Sequence, residues 1–189
     1  MRERLLDAAE DGIRLHGYHG VSFRELATEI GIKSSSVHYY FRQKEDLGVA
    51  LVKRYGSRFF ESLETKAKRA KSGAGRIRAF CATYRESLVS SEQICLCGIL
   101  GAEHHGLPPV LNEAVTGFFN SNIEWLVTAL PEGLSAPIRR RKAIHIVATL
   151  QGAMVLASSL KDVSLFDSAV HDLLAGFDDE ATKHPAGHP

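Results

Sequence analysis

Residues 21–47 constrain the fold of this chain more than any other stretch, because they predict two short helices joined by a tight turn. Ser22 and Glu25 form a capping-box pattern, in which each side chain bonds to the backbone N–H of the other residue. A helix is therefore expected to begin at Phe23, and apolar residues recur after it at helical spacing. Gly31 predicts the end of this helix, since glycine adopts the left-handed backbone conformation without steric cost.

A second helix is expected to begin near Ser34 or Ser35, either of which can cap it, and to reach about Tyr40. Val37 and Phe41 have the character of core anchors, whereas the remaining side chains carry hydroxyl, imidazole or phenol groups that form hydrogen bonds. A short helix with a polar outer face, braced by another short helix, is the helix-turn-helix arrangement that enters the major groove of DNA. The pattern therefore predicts a DNA-reading head.

Six short blocks follow one another in a fixed order over residues 2–54. The blocks are Leu5-Leu6-Asp7-Ala8-Ala9, Gly17-Tyr18, Arg24-Glu25-Leu26-Ala27, Gly31-Ile32, Tyr39-Tyr40-Phe41 and Lys44-Glu45-Asp46-Leu47. Together they resemble the N-terminal domain of the TetR family of one-component repressors, which implies that residues 1–54 form a DNA-binding domain. His38 and Ser35 stand where the family most often has Tyr and often has Gly. Both positions touch the predicted reading face, so the resemblance implies no particular operator sequence.

We expect the head to contact DNA through basic side chains and through hydroxyl and imidazole groups, which can donate to and accept from base edges and phosphates. Lys44 begins the next helix, where free backbone N–H groups and the helix dipole already favour a phosphate. Arg24 is expected on a phosphate or base edge, with a solvated surface position as its alternative. For one of Tyr39 and Tyr40, a core position is the alternative to a phosphate contact. The predicted set is Arg24, Lys33, Ser34, Ser35, Ser36, His38, Tyr39, Tyr40 and Lys44.

Charge is divided unevenly along the 189 residues, although the formal net charge is only +1. Residues 1–80 hold 16 Lys and Arg against 10 Asp and Glu, and residues 81–189 hold 7 against 12. The first part is thus +6 and the rest −5, as expected for a DNA-binding head on a more acidic body. Three cysteines without disulfide-like spacing fit a reducing cytosol, and no signal-like or long uninterrupted apolar segment suggests export or insertion. We therefore expect a cytoplasmic protein without a membrane partner.

Helical periodicity runs through nearly the whole chain, which predicts an all-α fold with a three-helix head and a helical body. Residues 55–177 are expected to form an effector-binding and dimerisation domain, and the polar stretch 178–189 a disordered tail. The clearest break lies at residues 72–75. The expected helices span 3–16, 23–30, 34–40, 44–71, 76–90, 94–104, 109–130, 136–161 and 166–177.

The resemblance implies that the body encloses a cavity for a small-molecule effector, whose identity it does not reveal. Bulky and polarizable side chains are dense in the expected helices between residues 76 and 130. For most of them the alternative is ordinary core packing, because aromatic residues at helical spacing normally lie in the core. The predicted pocket residues are Cys81, Tyr84, Leu88, Cys95, Leu100, His104, Phe118, Phe119 and Ile123.

The segment from Cys95 to Glu103 resembles the sixth helix of a TetR branch with a Cys-Leu-x-x-x-Leu-x-Ala-Glu pattern. In that branch the first cysteine can sense oxidants or electrophiles, which implies a possible redox sensor at Cys95, near a helix N-terminus that favours the thiolate. The alternative is that a small buried residue is needed there for close helix packing. A thiol-sensing repressor is therefore the alternative to a ligand-responsive one.

Cys95, Cys97, His104 and His105 also raise the question of a zinc site. Two thiols at a Cys-x-Cys spacing point to different faces of a helix, and the spacing matches no common zinc pattern. The chain has no nucleophile elbow, phosphate loop or paired-carboxylate motif, and Glu103 beside the two histidines is its nearest approach to a catalytic cluster. We predict no metal ligand, cofactor or catalytic residue; a helical enzyme or metal-binding protein is the distant alternative.

The last two long helices are expected to form a homodimer surface, because they offer more apolar area than one body of this size can cover. The alternative is that this area packs inside one subunit. A symmetric dimer also suits the reading of a palindromic operator. The residues predicted at the interface are Met154, Leu156, Ala157, Val170, Leu173 and Leu174. The complete prediction is a homodimeric repressor that an effector releases from double-stranded DNA.

Overall fold

A computed structural model describes residues 1–91 and 93–183 of the chain. Within these residues every regular element is a helix, which confirms the predicted all-α class. The helices are α1 (Arg2–His16), α2 (Phe23–Glu29), α3 (Ser34–Tyr40), α4 (Lys44–Ala67), α5 (Gly73–Ser91), α6 (Leu96–Ala102), α7 (Pro109–Ala129), α8 (Ala136–Leu160) and α9 (Ser164–Lys183), with a short 3-10 turn at His104–Gly106.

Several helix ends differ from those expected. The break predicted at residues 72–75 lies partly inside α5, because the Ser72 hydroxyl accepts a hydrogen bond of 3.1 Å from the Gly75 N–H and so supports the first turn of that helix. The last helix runs to Lys183, so the residues 178–183 assigned to a disordered tail are helical instead. Residues 184–189 of that expected tail lie outside the described part of the chain.

The chain divides into two compact units. The first contains Met1–Phe59 and Cys95–Asn120, and the second contains Phe60–Ile94 and the chain from Ser121 onward. The sequence assigned α6 and all of α7 to the body, but α6 and the first part of α7 group with the three head helices. This grouping depends on contacts between residues far apart in the chain, which no local pattern encodes.

The core of the first unit combines the apolar stripe of α1 with the anchors of the next three helices. The buried members include Leu5, Leu6, Ala9, Ile13, Leu26, Val37, Phe41, Leu47 and Leu51. A buried carboxylate also joins α1 to α4, since Glu10 accepts hydrogen bonds from Arg14, Arg54 and Arg58. A carboxylate this deeply buried is tolerated only when cations and hydrogen bonds compensate for its lost hydration.

The core of the second unit is formed chiefly by α5, α8 and α9. Ile146, Leu150 and Met154 of α8 are each 0% exposed, as is Phe166 of α9. At the surface of this unit, the Arg85 guanidinium joins α5 to α9 by donating to both carboxylate oxygens of Asp167, at 2.6 and 2.9 Å.

Among the described residues, α8 alone has the length and apolar composition of a membrane-spanning helix. It carries the basic run 139–142 near its start, and 39% of its most apolar window is buried within the protein. The core helix of a globular protein satisfies the same criterion, so this feature is weak evidence for a membrane span.

Candidate functional site

The supporting helix of the head, α2, begins as the sequence predicts. The Ser22 hydroxyl accepts a hydrogen bond of 3.2 Å from the Glu25 N–H, and the Ser22 N–H donates to the Glu25 carboxylate at 2.8 Å. These bonds from Ser22 lower the pKa of Glu25 below its ordinary value. After α2 the chain turns at Gly31, whose φ of 72° lies in the left-handed region. The capping box and the glycine turn therefore set the direction in which α3 leaves the head.

The second helix of the motif, α3, is anchored by two residues and exposes the others. Val37 is 0% exposed and Phe41 3%, whereas Tyr39 is 83% exposed. Lys33 is the N-cap residue and no side chain caps the helix, so neither Ser34 nor Ser35 has the capping role expected of it. Both serines are exposed and therefore have hydroxyl groups available for DNA.

His38 is exposed but is held by two contacts within the head. Its ring meets the edge of the Phe23 ring at a centroid distance of 5.0 Å, and its Nδ1 lies 3.4 Å from the Arg42 carbonyl oxygen. Because Nδ1 faces the protein, Nε2 is the ring nitrogen available to DNA. Arg42 itself is exposed just after α3, and the prediction omitted it. Its position beside the recognition helix and its charge were the signals that could have found it.

Lys44 begins α4 as predicted, but its amine does not extend freely into solvent. The Nζ atom lies 4.3 Å from the centroid of the Tyr18 ring, a cation–π contact. Burial lowers the pKa of Lys44, while the nearby Glu25 and Glu103 carboxylates act in the opposite direction. A phosphate contact from this amine therefore has to compete with the contact that Tyr18 already provides.

The loop after α1 is attached to the segment that follows α6. The Tyr18 N–H donates to the Glu103 carboxylate at 2.8 Å, and His19 Nε2 lies 3.0 Å from the Gly106 carbonyl oxygen. Gly17 has a φ of 74°, and a Cβ atom at this position would lie 2.0 Å from a Glu103 oxygen. Glu103, which the sequence offered only as part of a cluster with two histidines, is thus a partner of the head.

Ordinary helix packing and the exposed polar face of α3 define a helix-turn-helix head, and comparison with known proteins agrees. The family model described as "Bacterial regulatory proteins, tetR family" matches residues 5–51. A TetR transcriptional regulator from Legionella pneumophila has a similar structure, with a TM-score of 0.85, 29% sequence identity and coverage of 92% of this chain and 95% of that chain. The chain belongs to the TetR family. It is a DNA-binding transcriptional regulator of that family.

Further TetR-family relatives extend the comparison. An uncharacterised HTH-type regulator in the dhlA 5' region of Xanthobacter autotrophicus is 28% identical over 88% of this chain and 81% of its own length. The repressor NemR of Escherichia coli is 30% identical over 52% of this chain and 47% of its own length. The regulator FadR of Bacillus subtilis, solved in complex with stearoyl-CoA, has the same fold, with a TM-score of 0.72, 20% identity and coverage of 93% and 99%.

The residues predicted to line an effector pocket divide between the two units. Four belong to the second unit: Cys81, Tyr84, Leu88 and Ile123. Five belong to the first unit: Cys95, Leu100, His104, Phe118 and Phe119. His104 differs from the rest because it is exposed, with its ring 3.8 Å from that of His105. The pocket remains a prediction, and an exposed His104 is poorly suited to line an enclosed cavity.

A hydrogen-bonded chain in the second unit was missed at the sequence level. Gln151 Nε2 donates to the Tyr84 hydroxyl at 3.2 Å, and that hydroxyl donates to Asn122 Oδ1 at 3.2 Å. Asn122 is 0% exposed, and Gln151 is half-buried. An amide within the apolar part of the expected helix 109–130 was the available signal.

The three cysteines are buried. Burial raises the pKa of Cys81 to about 12 and raises the pKa of Cys97 well above its ordinary value. Cys95 is the N-cap residue of α6, and its sulfur accepts a hydrogen bond of 3.3 Å from the Tyr55 hydroxyl. Within residues 1–91 and 93–183, no three His, Cys, Asp or Glu side chains are grouped so that they could hold a metal ion.

Of the residues predicted at a dimer interface, several are buried inside the second unit. Met154 is 0% exposed, Ala157 2% and Leu173 8%, whereas Leu156 is 57% exposed. Val170 and Leu174 are half-buried. The alternative that the sequence left open, packing within one subunit, therefore describes Met154, Ala157 and Leu173. The large apolar residues that α8 does expose are Ile144, Val155, Leu156 and Leu160.

Proposed function

We propose that this TetR-family regulator is a homodimeric repressor that binds a palindromic operator and leaves it when a small-molecule effector binds the body. The observation that carries the DNA contact is the exposed polar face of α3, held in place by Val37 and Phe41. A rigidly anchored helix that displays hydroxyl and phenol groups can present them to base edges and phosphates in the major groove. DNA binding also places its action in the cytoplasm.

The dimer is supported by the exposed apolar side of α8. Ile144, Val155, Leu156 and Leu160 are each between 46% and 65% exposed. Burying such residues against a second copy would remove apolar area from water, and a twofold axis makes the same patch serve both partners. The proposed interface therefore keeps Leu156 but replaces the buried Met154 by these neighbours on the outer side of the helix.

The effector is supported by two relatives as well as by the family. NemR is named a repressor, and FadR of Bacillus subtilis was solved with stearoyl-CoA. Thiol sensing at Cys95 is the second candidate, but the structure supports it less. All three cysteines are buried, and a buried thiol with a raised pKa holds little of the reactive thiolate.

Selection from random double-stranded DNA with the purified protein tests this function. We expect enrichment of a palindrome whose half-sites are about one helical turn apart, ~34–36 Å, bound by one dimer. Fluorescence anisotropy with the enriched duplex then gives the affinity, and the same assay reports release by added effectors. Failure to enrich any sequence, or enrichment of a single half-site bound by a monomer, would contradict the proposal.

A further inference from the structure

The second unit contains a polar chain that crosses three of its helices. Gln151 of α8 donates to Tyr84 of α5, and Tyr84 donates to Asn122 of α7. The Tyr84 side chain is 1% exposed and Asn122 is 0% exposed. Burying such groups in an apolar core costs free energy unless they are hydrogen-bonded, so this arrangement is more expensive than an apolar one of the same shape.

Aromatic rings adjoin this chain. Phe80 stacks on Trp125 at a centroid distance of 5.6 Å and an interplanar angle of 24°, and it meets the Tyr84 ring at 5.2 Å. Trp125 is half-buried, and its indole N–H donates to Glu64 at 2.6 Å. One part of the second unit thus combines flat apolar surfaces with neutral groups that both donate and accept hydrogen bonds.

Charged side chains are absent from this part of the core. Among the described residues of the second unit, the buried polar side chains that carry no aromatic ring are Thr83 and Asn122. The ion pairs of this unit, such as Arg85 with Asp167 and Lys66 with Glu86, have side chains between 30% and 60% exposed. A carboxylate or phosphate brought into the core would therefore lose its hydration without gaining a buried cation, which is unfavourable.

We propose that the effector of this protein is a neutral organic molecule with an aromatic ring and a hydrogen-bonding oxygen, recognised by Tyr84, Asn122 and Gln151. This inference rests on the proposed function, which supplies the existence of an effector. A hydroxyl or carbonyl of the ligand takes over one hydrogen bond of the chain, so that no polar group is left without a partner. The ring packs against Phe80 and Trp125, where offset or edge-on aromatic contacts are favourable. A purely apolar ligand would break the chain and leave buried groups unpaired, which discriminates strongly against it.

Matched pairs of neutral and anionic probes test the ligand class. The pairs are 4-hydroxyacetophenone with 4-hydroxybenzoate, and 2-acetylnaphthalene with 2-naphthoate, and binding to the full-length protein is measured by equilibrium dialysis. We expect the neutral member of at least one pair to bind at least about tenfold more tightly than its anion, since the anion must also be desolvated. Equal binding of both members, tighter binding of the anions or no binding of either pair overturns the inference.

Variants test the residues. Tyr84→Phe and Asn122→Leu each remove a hydrogen-bonding group and should weaken binding of the neutral probe about two- to tenfold. Gln151→Met is the third variant, at a half-buried position where folding is least at risk. The matched control is Thr83→Val, because the Thr83 hydroxyl is also buried but bonds to the Ala79 carbonyl of its own helix at 2.9 Å. Circular dichroism establishes that each variant is folded. Unchanged binding in all three variants, or an equal loss in the control, overturns the assignment.

The operator assay separates this inference from the proposed function. If a neutral probe binds and releases the selected duplex, both stand. If stearoyl-CoA or an anionic probe releases the duplex and the neutral probes do not, the repressor function stands and the neutral ligand class is overturned. If no duplex is selected at all, the proposed function fails, while dialysis still reports which probe the second unit binds.

Discussion

Replacing Gly17 by alanine is expected to destabilise the head strongly, for two reasons that the structure separates. The backbone at this residue has φ 74° and ψ 173°, a combination that is essentially restricted to glycine. Forcing a residue with a Cβ atom into this region costs about 1–3 kcal/mol. In addition, the new Cβ would lie 2.0 Å from a Glu103 carboxylate oxygen, so the carboxylate has to move.

The movement of Glu103 adds a second cost. Its carboxylate accepts the Tyr18 N–H at 2.8 Å, and Tyr18 is only 4% exposed. A hydrogen bond to a charged group contributes about 1.5–3 kcal/mol. Together the two effects amount to about 4 kcal/mol, which for a protein of this size corresponds to a melting temperature lower by about 8–16 °C.

Urea denaturation followed by circular dichroism measures this loss, at one protein concentration because dimerisation also contributes to stability. The matched control is Gly117→Ala, at an exposed position of α7 where an added Cβ meets nothing within 4 Å; it should leave stability unchanged or raise it by about 1 kcal/mol. In a Glu103→Ala background the Gly17 substitution should cost only the backbone strain, about 1–3 kcal/mol. A wild-type unfolding midpoint for Gly17→Ala, or an undiminished cost in that background, would refute the reasoning.

Three further predictions concern DNA, assembly and thiol chemistry. Tyr39→Ala should weaken operator binding without loss of helix content, and Lys33→Ala should also reduce the slope of log affinity against log salt by about one; anisotropy titrations at several salt concentrations check both, and two unchanged slopes and affinities would remove this face from the interface. Leu156→Glu should dissociate the dimer while the subunit stays folded, because the side chain is 57% exposed in the single chain; a wild-type sedimentation coefficient for this variant would contradict the proposed interface. Cys81 should resist iodoacetamide at pH 8, since burial raises its thiol pKa to about 12 and the thiolate forms only as the pH approaches that value; mass spectrometry showing alkylation of the folded protein as fast as in urea would count against this.

The head could be predicted from the sequence because its signals are local. Ser22 and Glu25 lie three residues apart and bond to one another, and Gly31 supplies a backbone conformation that is written in its own lack of a side chain. Val37 and Phe41 were recognisable as anchors because they are apolar residues in a polar stretch, and both are buried. The match of the TetR family model to residues 5–51 lies within the same part of the chain.

The candidate sites in the rest of the chain were predictable only in part. Apolar spacing identified helices with broad apolar sides, but it could not tell which apolar residues meet inside one subunit. Met154 and Leu156 are two residues apart and equally apolar, yet one is 0% exposed and the other 57%. Likewise, nothing near Tyr84 in the sequence indicates its hydrogen bond to Asn122, 38 residues away.

By itself, then, the sequence determined the helical class, the helix-turn-helix and the family, because capping, turns and periodicity act between residues a few positions apart. The tertiary structure alone decided that the Lys44 amine lies over the Tyr18 ring, that Glu103 binds the Tyr18 N–H, and that the apolar outer side of α8 faces solvent. These outcomes depend on which surfaces meet when the helices pack. Packing is settled by the summed burial and hydrogen bonding of residues distant in the chain, and no local pattern records that sum.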